Sequence, residues 1–495
     1  MLAFVLNFPM FGILLCVLGG LICLMIKPTA ARLLSLMVCA VQSVLSACLL
    51  VYTLQMGSSF TYPMGHFASP FGNELRAGPL EAFFALCFSL VMLLSLMGGT
   101  DDLNADIEEH NRSNYYILTN MLSAAQLAII YTNDIFTAFV FIEIVTLTAC
   151  SIISIKQSGK TLVATMWYLI MSLVGSGLLL LSISILYGIT GHLLMPGLAE
   201  SISALAATGN YMLPLFIVTG LMCTSLSIKS ALFPFHTWLP GAHASATTSS
   251  SAILSGLVVK CYIFLMLKVF IRMYGVHVMA LLRVTDILLV MGVLGLLFGS
   301  LRAARQKDIK SMLAYSSVAQ IGYIFIGIGM NNSAGFIAAC FQIIAHAACK
   351  AMLFVSAGAL AASSGGKKDW NSLRGAGRRD ISAGIAFTCG ALSMVGIPLF
   401  PGFVAKMYLA TASSGTPFIS AVLIAVLVVG TLLNAVYYLP AVLCIYAEGD
   451  DYPKARKSPA GRVSIWSFVL VCFVLGLFSQ PITSVIEAGL ELFGM

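Results

Sequence analysis

Charge is scarce in this chain. Aspartate, glutamate, lysine and arginine make up 9% of its 495 residues, where a soluble domain carries about 25%. Tryptophan occurs 4 times. No polar stretch is long enough for a separate water-soluble domain, which excludes a soluble enzyme. The formal net charge of +7 does not point to nucleic acid, because the basic residues sit in short segments between apolar runs. The 13 cysteines, among them Cys16, Cys150, Cys223, Cys349 and Cys472, fall in apolar runs and none forms CxxC. They read as small core hydrophobes, so no iron–sulfur cluster, zinc site or haem is expected. A phosphate loop, a dinucleotide glycine pattern and a hydrolase elbow are missing as well. The chain therefore carries no catalytic motif, and no cofactor is expected.

What is abundant is apolar sequence: 59% hydrophobic residues and a mean hydropathy of +0.98. Runs of about 18 apolar residues or more are long enough to cross a bilayer as helices. They predict an all-α integral membrane protein with fourteen spans, near 3–26, 31–55, 79–98, 114–131, 134–155, 161–188, 211–233, 250–273, 279–300, 311–329, 333–361, 381–399, 416–446 and 464–486. The first run lacks a basic start, so a cleavable signal is not expected. Of the 26 lysines and arginines, 18 fall in loops after odd-numbered spans and 4, Arg76, Lys268, Arg272 and Arg283, on the other side. That bias predicts a cell-membrane protein with both termini outside.

Two helices read as interrupted. LSIKSALFPFHTWLPGAH holds Pro234 and Pro240; SMVGIPLFPGFVAKMY holds Pro398, Pro401 and Gly402. Proline removes a backbone donor and clashes with the preceding turn. Paired interruptions five spans apart point to inverted repeats. The division is then 1–110, 111–275 for the first five-helix repeat, 276–447 for the second, and 448–495.

The remaining four lysines lie inside apolar runs: Lys229, Lys260, Lys350 and Lys406. A charge at bilayer depth costs about 2.5 kcal/mol or more, so these are candidates for passing protons or cations. Glu143, in FVFIEIVTL, is the candidate partner of Lys229. An openable Lys–Glu pair is a proton switch, because desolvation disfavours the charged amine and the carboxylate restores it. Lys260 is placed to take the proton onward. His346 and Lys350 stand four apart on one helix face, and Lys406 follows the second break as the exit group. His236 and His243, in the first broken segment, read as relay or loop-bonding residues, since a zinc pair would need a third ligand. Asp134 reads as a helix cap. Tyr315, Ser316 and Gln320 form a polar stripe, and Gly175 and Gly177 would permit close helix approach.

FPFHTWLPGAHASA…SAILSGLVVK, RQKDIKSMLAYSSVAQIGYIFIGIG, HAACKAMLFVSAG and LRGAGRR…GIPLFPGFVAK resemble the antiporter-like subunits of the complex I superfamily. These include proton-pumping membrane subunits of NADH:quinone oxidoreductase, the D-type subunit of Mrp antiporters and membrane subunits of energy-converting hydrogenases. The resemblance covers roughly residues 110–415. It implies fourteen helices, inverted repeats of five, and broken helices 7 and 12. It also implies a Glu–Lys pair at Glu143 and Lys229, a helix-8 lysine at Lys260 and a helix-12 ionisable group at Lys406. The chain departs from the usual pattern at Gly241, where an acidic residue is usual, at Thr247 and Ser249, where prolines are, and at Tyr262, where glycine is. The reading is a proton- or cation-translocating subunit working with other membrane subunits of a redox-driven complex. The alternatives are a sodium/proton antiporter subunit of the Mrp type and a non-transporting scaffold.

Overall fold

The computed structural model describes residues 2–67, 72–209, 211–413, 417–449, 452 and 458–495. Every expected span carries a helix: α1 (Phe8–Cys23), α2 (Pro28–Met56), α3 (Pro79–Gly98), α4 (Glu109–Tyr131), α5 (Ile135–Ser154), α6 (Gly159–Thr190), α7 (Met212–Lys229), α8 (Thr248–Leu281), α9 (Val284–Ala304), α10 (Ile309–Gly329), α11 (Ser333–Ala362), α12 (Ile381–Val395), α13 (Pro417–Tyr446) and α14 (Pro459–Leu477). Among the described residues, eleven helices are long and apolar enough to cross a membrane; α1 and α12 are shorter apolar helices. The chain is thus an all-α, multi-pass membrane protein.

The helix starts follow from local chemistry. Pro28, Pro79 and Pro459 occupy first-turn positions, where a missing N–H costs nothing. Side-chain caps begin others: Asp134 accepts from Thr137 N at 2.7 Å, Asp308 from Ser311 N at 2.8 Å and Asn332 from Gly335 N at 2.7 Å. The expected cap at Asp134 is therefore present.

The centre is built from α8, α10 and α11, which other helices cover almost completely, while α2, α6 and α13 form much of the periphery. Helix α9 lies unusually close to α10. A Cβ at Gly322 would come within 2.6 Å of Gly292 O and Leu296 N, and one at Gly299 within 2.6 Å of Ala319 N. Glycine there lets backbone meet backbone. Gly175 similarly faces α7, with Ser225 O 3.3 Å from its Cβ position, but Gly177 meets nothing within 4 Å and points outward.

Several elements differ from the sequence expectation. Span 7 ends at Lys229, four residues early, and span 12 ends at Val395. Span 8 runs on to Leu281 through two π-helical stretches, because the apolar residues Val276, Val278, Met279 and Ala280 carry the helix past Tyr274. The last span is two helices, α14 and Ser479–Glu491, meeting at Phe478. A helix at Met195–Thr208 and an antiparallel hairpin, β1 (Phe60–Pro63) with β2 (Glu74–Ala77), were not foreseen; both are too short or too polar to register as spans.

Candidate functional site

Glu143 on α5 and Lys229 at the end of α7 come together. Lys229 Nζ stands 3.5 Å from Glu143 Oε1, with the lysine side chain fully buried and the glutamate partly so. Each also has a neutral partner. The ammonium donates to Thr146 Oγ1 at 3.0 Å, and the carboxylate accepts the hydroxyl of Ser176 on α6. Tyr262 of α8 closes the site: its ring lies 5.7 Å from Lys229 Nζ and its hydroxyl 3.4 Å from Thr146 Oγ1. Arrangement and chemistry agree, since each member keeps a neutral hydrogen-bonding partner when the pair separates, so that neither charged group is left without a hydrogen bond.

Both interrupted helices are present, and both are clamped alike. After α7 the chain turns through 230–234 and resumes as Trp238–Ser245. Trp238 Nε1 reaches back to Ile228 O at 3.0 Å. After α12 it turns through Gly396, φ +94°, and resumes as Pro401–Ala412. There Lys406 Nζ reaches back to Val395 O at 2.6 Å and Met394 O at 3.2 Å. A broken helix frees carbonyls that lipid does not satisfy, so a donor from the second half must do so. Gly402 is required at this crossing, because a Cβ would fall 1.8 Å from Ser393 O.

The other candidates gather between α8, α10 and α11. Lys260 donates to its own helix at Ser255 O, a carbonyl within the π-helical stretch Leu254–Val258. His243, from the first broken segment, and His346 on α11 are fully buried, and neither ring nitrogen of either has a protein partner. Both are near enough to Lys260 and Lys350 to feel their charges. Lys350 donates to Leu313 O at 2.8 Å, to Ser316 and to Tyr438 OH at 3.1 Å. His236 stands apart, half-buried and stacked on Phe233 at 5.4 Å. No hydrogen bond joins Lys229 to Lys260 among the described residues; Tyr262 of α8 lies against Lys229.

A second polar connection was missed. Tyr438 accepts from Lys350, and its neighbour Tyr437 donates to Asn434 Oδ1. Asn434 donates to Met394 O at 3.1 Å, the carbonyl that Lys406 also caps. Helix α13 thus carries hydroxyl and amide groups between Lys350 and Lys406. The signal was available as NAVYY within an otherwise apolar run. Of the polar stripe on α10, Ser316 meets Lys350, and Gln320 accepts from Gln342 Nε2 at 2.8 Å.

Two lysines counted as loop cations are buried instead. Lys268 on α8 donates to Ile130 O at 2.8 Å and Thr132 O at 2.6 Å, where α4 ends. Lys310 donates to Ala246 O at 3.2 Å. Arg76, also counted as a loop residue, is buried in an ion pair with Glu81 and donates to Leu492 O at 2.7 Å. The guanidinium groups of Arg76 and Arg272 both stack over the ring of Phe493, 4.9 and 5.6 Å from its centre. Asp102, just beyond α3, packs over Gly358 of α11, 2.4 Å from where a Cβ would be; burial pushes its carboxyl up, opposed by Thr248 and by Lys310. Lys454, Arg456 and Lys457 lie outside the described residues.

Comparison with known proteins follows the same lines. Residues 132–433 match the family model described as NADH:quinone oxidoreductase/Mrp antiporter, transmembrane. The NADH-quinone oxidoreductase subunit N of Desulforudis audaxviator is 32% identical over 453 residues, 88% of each chain. In fold, the chain is similar to one in an archaeal respiratory complex, the membrane-bound sulfane sulfur reductase, with a TM-score of 0.86 at 23% identity, covering 99% of this chain and 97% of that one. It is similar also to a chain of the Mrp complex from a Dietzia species, TM-score 0.85 at 22% identity, covering 99% and 98%.

Proposed function

Since this chain belongs to the NADH:quinone oxidoreductase/Mrp antiporter membrane-subunit family, we propose that it moves protons across the membrane by opening and closing the Glu143–Lys229 pair. It is an antiporter-like membrane subunit, and such relatives are parts of multisubunit membrane complexes. The observation that carries the reading is the double set of partners at the pair. Lys229 shares its ammonium between Glu143 and Thr146, while Glu143 is shared with Ser176. Among the described residues, the other buried lysines and the half-buried Lys406 have no carboxylate partner and rest on backbone carbonyls and hydroxyls.

In this reading a neighbouring subunit shifts the field at Glu143. When the pair opens, Lys229 loses the charge that holds its proton and releases it. Onward passage uses Lys260, His243 and His346, then Lys350, and reaches Lys406 by way of Tyr438, Tyr437 and Asn434. His236 takes no part in that line. The scarcity of intramembrane carboxylates favours protons over sodium, which prefers oxygen ligands. The fourteen spans, two inverted five-helix repeats and both termini outside belong to the same proposal, supported by the matching clamps at the two breaks and by the loop-charge bias.

Glu143→Gln keeps shape and removes the titratable charge. In the assembled complex it is expected to abolish proton movement into inverted vesicles while leaving subunit content unchanged. Normal pumping by the assembled variant refutes the switch. An Mrp-type exchange reading is distinguished by which proteins co-purify: redox subunits support a redox-driven complex, and small membrane proteins alone support exchange.

A further inference from the structure

We propose that the cleft where α6 and α10 begin binds the phosphate headgroup of an anionic phospholipid, with the acyl chains lying along the outer face of α6. The cleft has a volume of about 810 Å³ and is lined by Lys156, Lys160 and Lys368, with Asp308 the one carboxylate on its wall. Asp308 is engaged as the cap of α10, and Lys156 is paired with Asp106 at 2.6 Å. Lys160 and Lys368 form no ion pair among the described residues. The amine of Lys368 is pushed down by burial and by the charge of Lys156, against the opposing charges of Asp106, Asp308 and Asp102, and a bound anion relieves what remains of that penalty.

Two further features point the same way. Ser158, the N-cap of α6, and Ser311, in the first turn of α10, line the cleft, so the positive ends of both helices face it. The wall also includes Val163 and Trp167, each 58% exposed. From them the apolar face of α6 continues outward through Ile170, Leu173 and Val174. Free phosphate would use the amines and leave that face bare; a phospholipid uses both. Tryptophan at the headgroup level is where an amphipathic ring sits in a bilayer.

Gly241 supplies the sharpest test, because it lines the cleft and presents no side chain to it. A Cβ there would have Ala164 Cβ, at 3.8 Å, as its nearest neighbour, so Gly241→Asp fits and brings a carboxylate against the headgroup. The intact chain, purified in mild detergent, is delipidated and titrated with phosphatidylglycerol and with phosphatidylcholine, with bound lipid counted by native mass spectrometry. Expected are preferential binding of phosphatidylglycerol and a loss of affinity of roughly thirtyfold in Lys160→Ala/Lys368→Ala, at about 1 kcal/mol for each lysine near the surface. Gly241→Asp is expected to lose the preference too, with unchanged monodispersity for both variants. Equal binding of the two lipids, undiminished binding in both variants, or displacement by millimolar inorganic phosphate overturns the proposal. So does cross-linking from position 160 in the intact complex that captures a neighbouring subunit and no lipid.

Discussion

Thr146→Val separates the two partners of Lys229. The hydroxyl accepts from the ammonium at 3.0 Å and itself donates to Ile142 O at 2.9 Å. Valine keeps the shape and removes both bonds. The helix loses little, since Ile142 O remains within α5. The amine is left with Glu143, 3.5 Å away. At that separation the attraction is on the order of 5 kcal/mol with an effective dielectric near 20. A hydrogen bond to a charged group contributes about 1.5–3 kcal/mol, so in the native protein Thr146 offsets a good part of the attraction that opening must overcome. Its loss biases the pair toward the closed form by roughly ten- to 150-fold. Proton movement in inverted vesicles, followed by quenching of a pH-sensitive dye, is expected to slow by at least tenfold in Thr146→Val. Thr146→Ser, which restores the hydroxyl, is expected to recover most of it. Pumping at the native rate by assembled Thr146→Val would refute the idea that Thr146 is the alternative seat of the amine.

The other expectations can be put briefly. Arg76→Ala leaves Glu81 buried without its partner and is expected to destabilise the protein by about 3–5 kcal/mol, read as earlier loss of the monodisperse peak on heating; Arg76→Ala/Glu81→Ala should recover part of it, and an unchanged single variant would count against the pair. Gly322→Ala drives a methyl group into Gly292 O and Leu296 N at 2.6 Å and is expected to cost about 1–3 kcal/mol by overpacking in the same heating assay, whereas Gly177→Ala, facing open space, should be silent. Tyr438→Phe removes one acceptor from Lys350 and should slow transport several-fold with assembly intact; a native rate would take α13 out of the path. The chain reconstituted alone should show no redox-driven transport, and robust Lys229-dependent cation/proton exchange by it would argue for a self-sufficient transporter.

The helices were legible because bilayer thickness imposes a long apolar run on each, and the interruptions because proline and glycine cannot continue a helix. Glu143 and Lys229 were legible for a related reason: a charge amid FVFIEIVTL or LSIKS has no cheap explanation. Lys268 and Lys310 were not, since each lies near the end of an apolar run, where the sequence alone cannot separate a solvated amine from one folded inward onto a neighbouring carbonyl. Whether the helix continues decides it, and α8 does continue, to Leu281. Tyr437, Tyr438 and Asn434 were passed over because tyrosine and asparagine carry no formal charge and fit equally well as packing residues. Arg76 and Phe493 meet across most of the chain length, a pairing that local pattern does not reach.

The lysines folded onto acceptors inside the protein also have an order in time. Lys229 rests on Thr146 and Glu143, Lys260 on Ser255, Lys268 on Ile130 and Thr132, Lys310 on Ala246, Lys350 on Leu313 and Ser316, and Lys406 on Met394 and Val395. In every case acceptors lie earlier in the chain than the lysine. As the ribosome delivers each amine toward the bilayer, a group able to receive it has already been synthesised. Tyr438, which arrives after Lys350, adds a bond to an amine that already has two acceptors. During biogenesis none of these six lysines therefore has to wait in lipid for a helix not yet made, and the insertion machinery can release these segments in sequence.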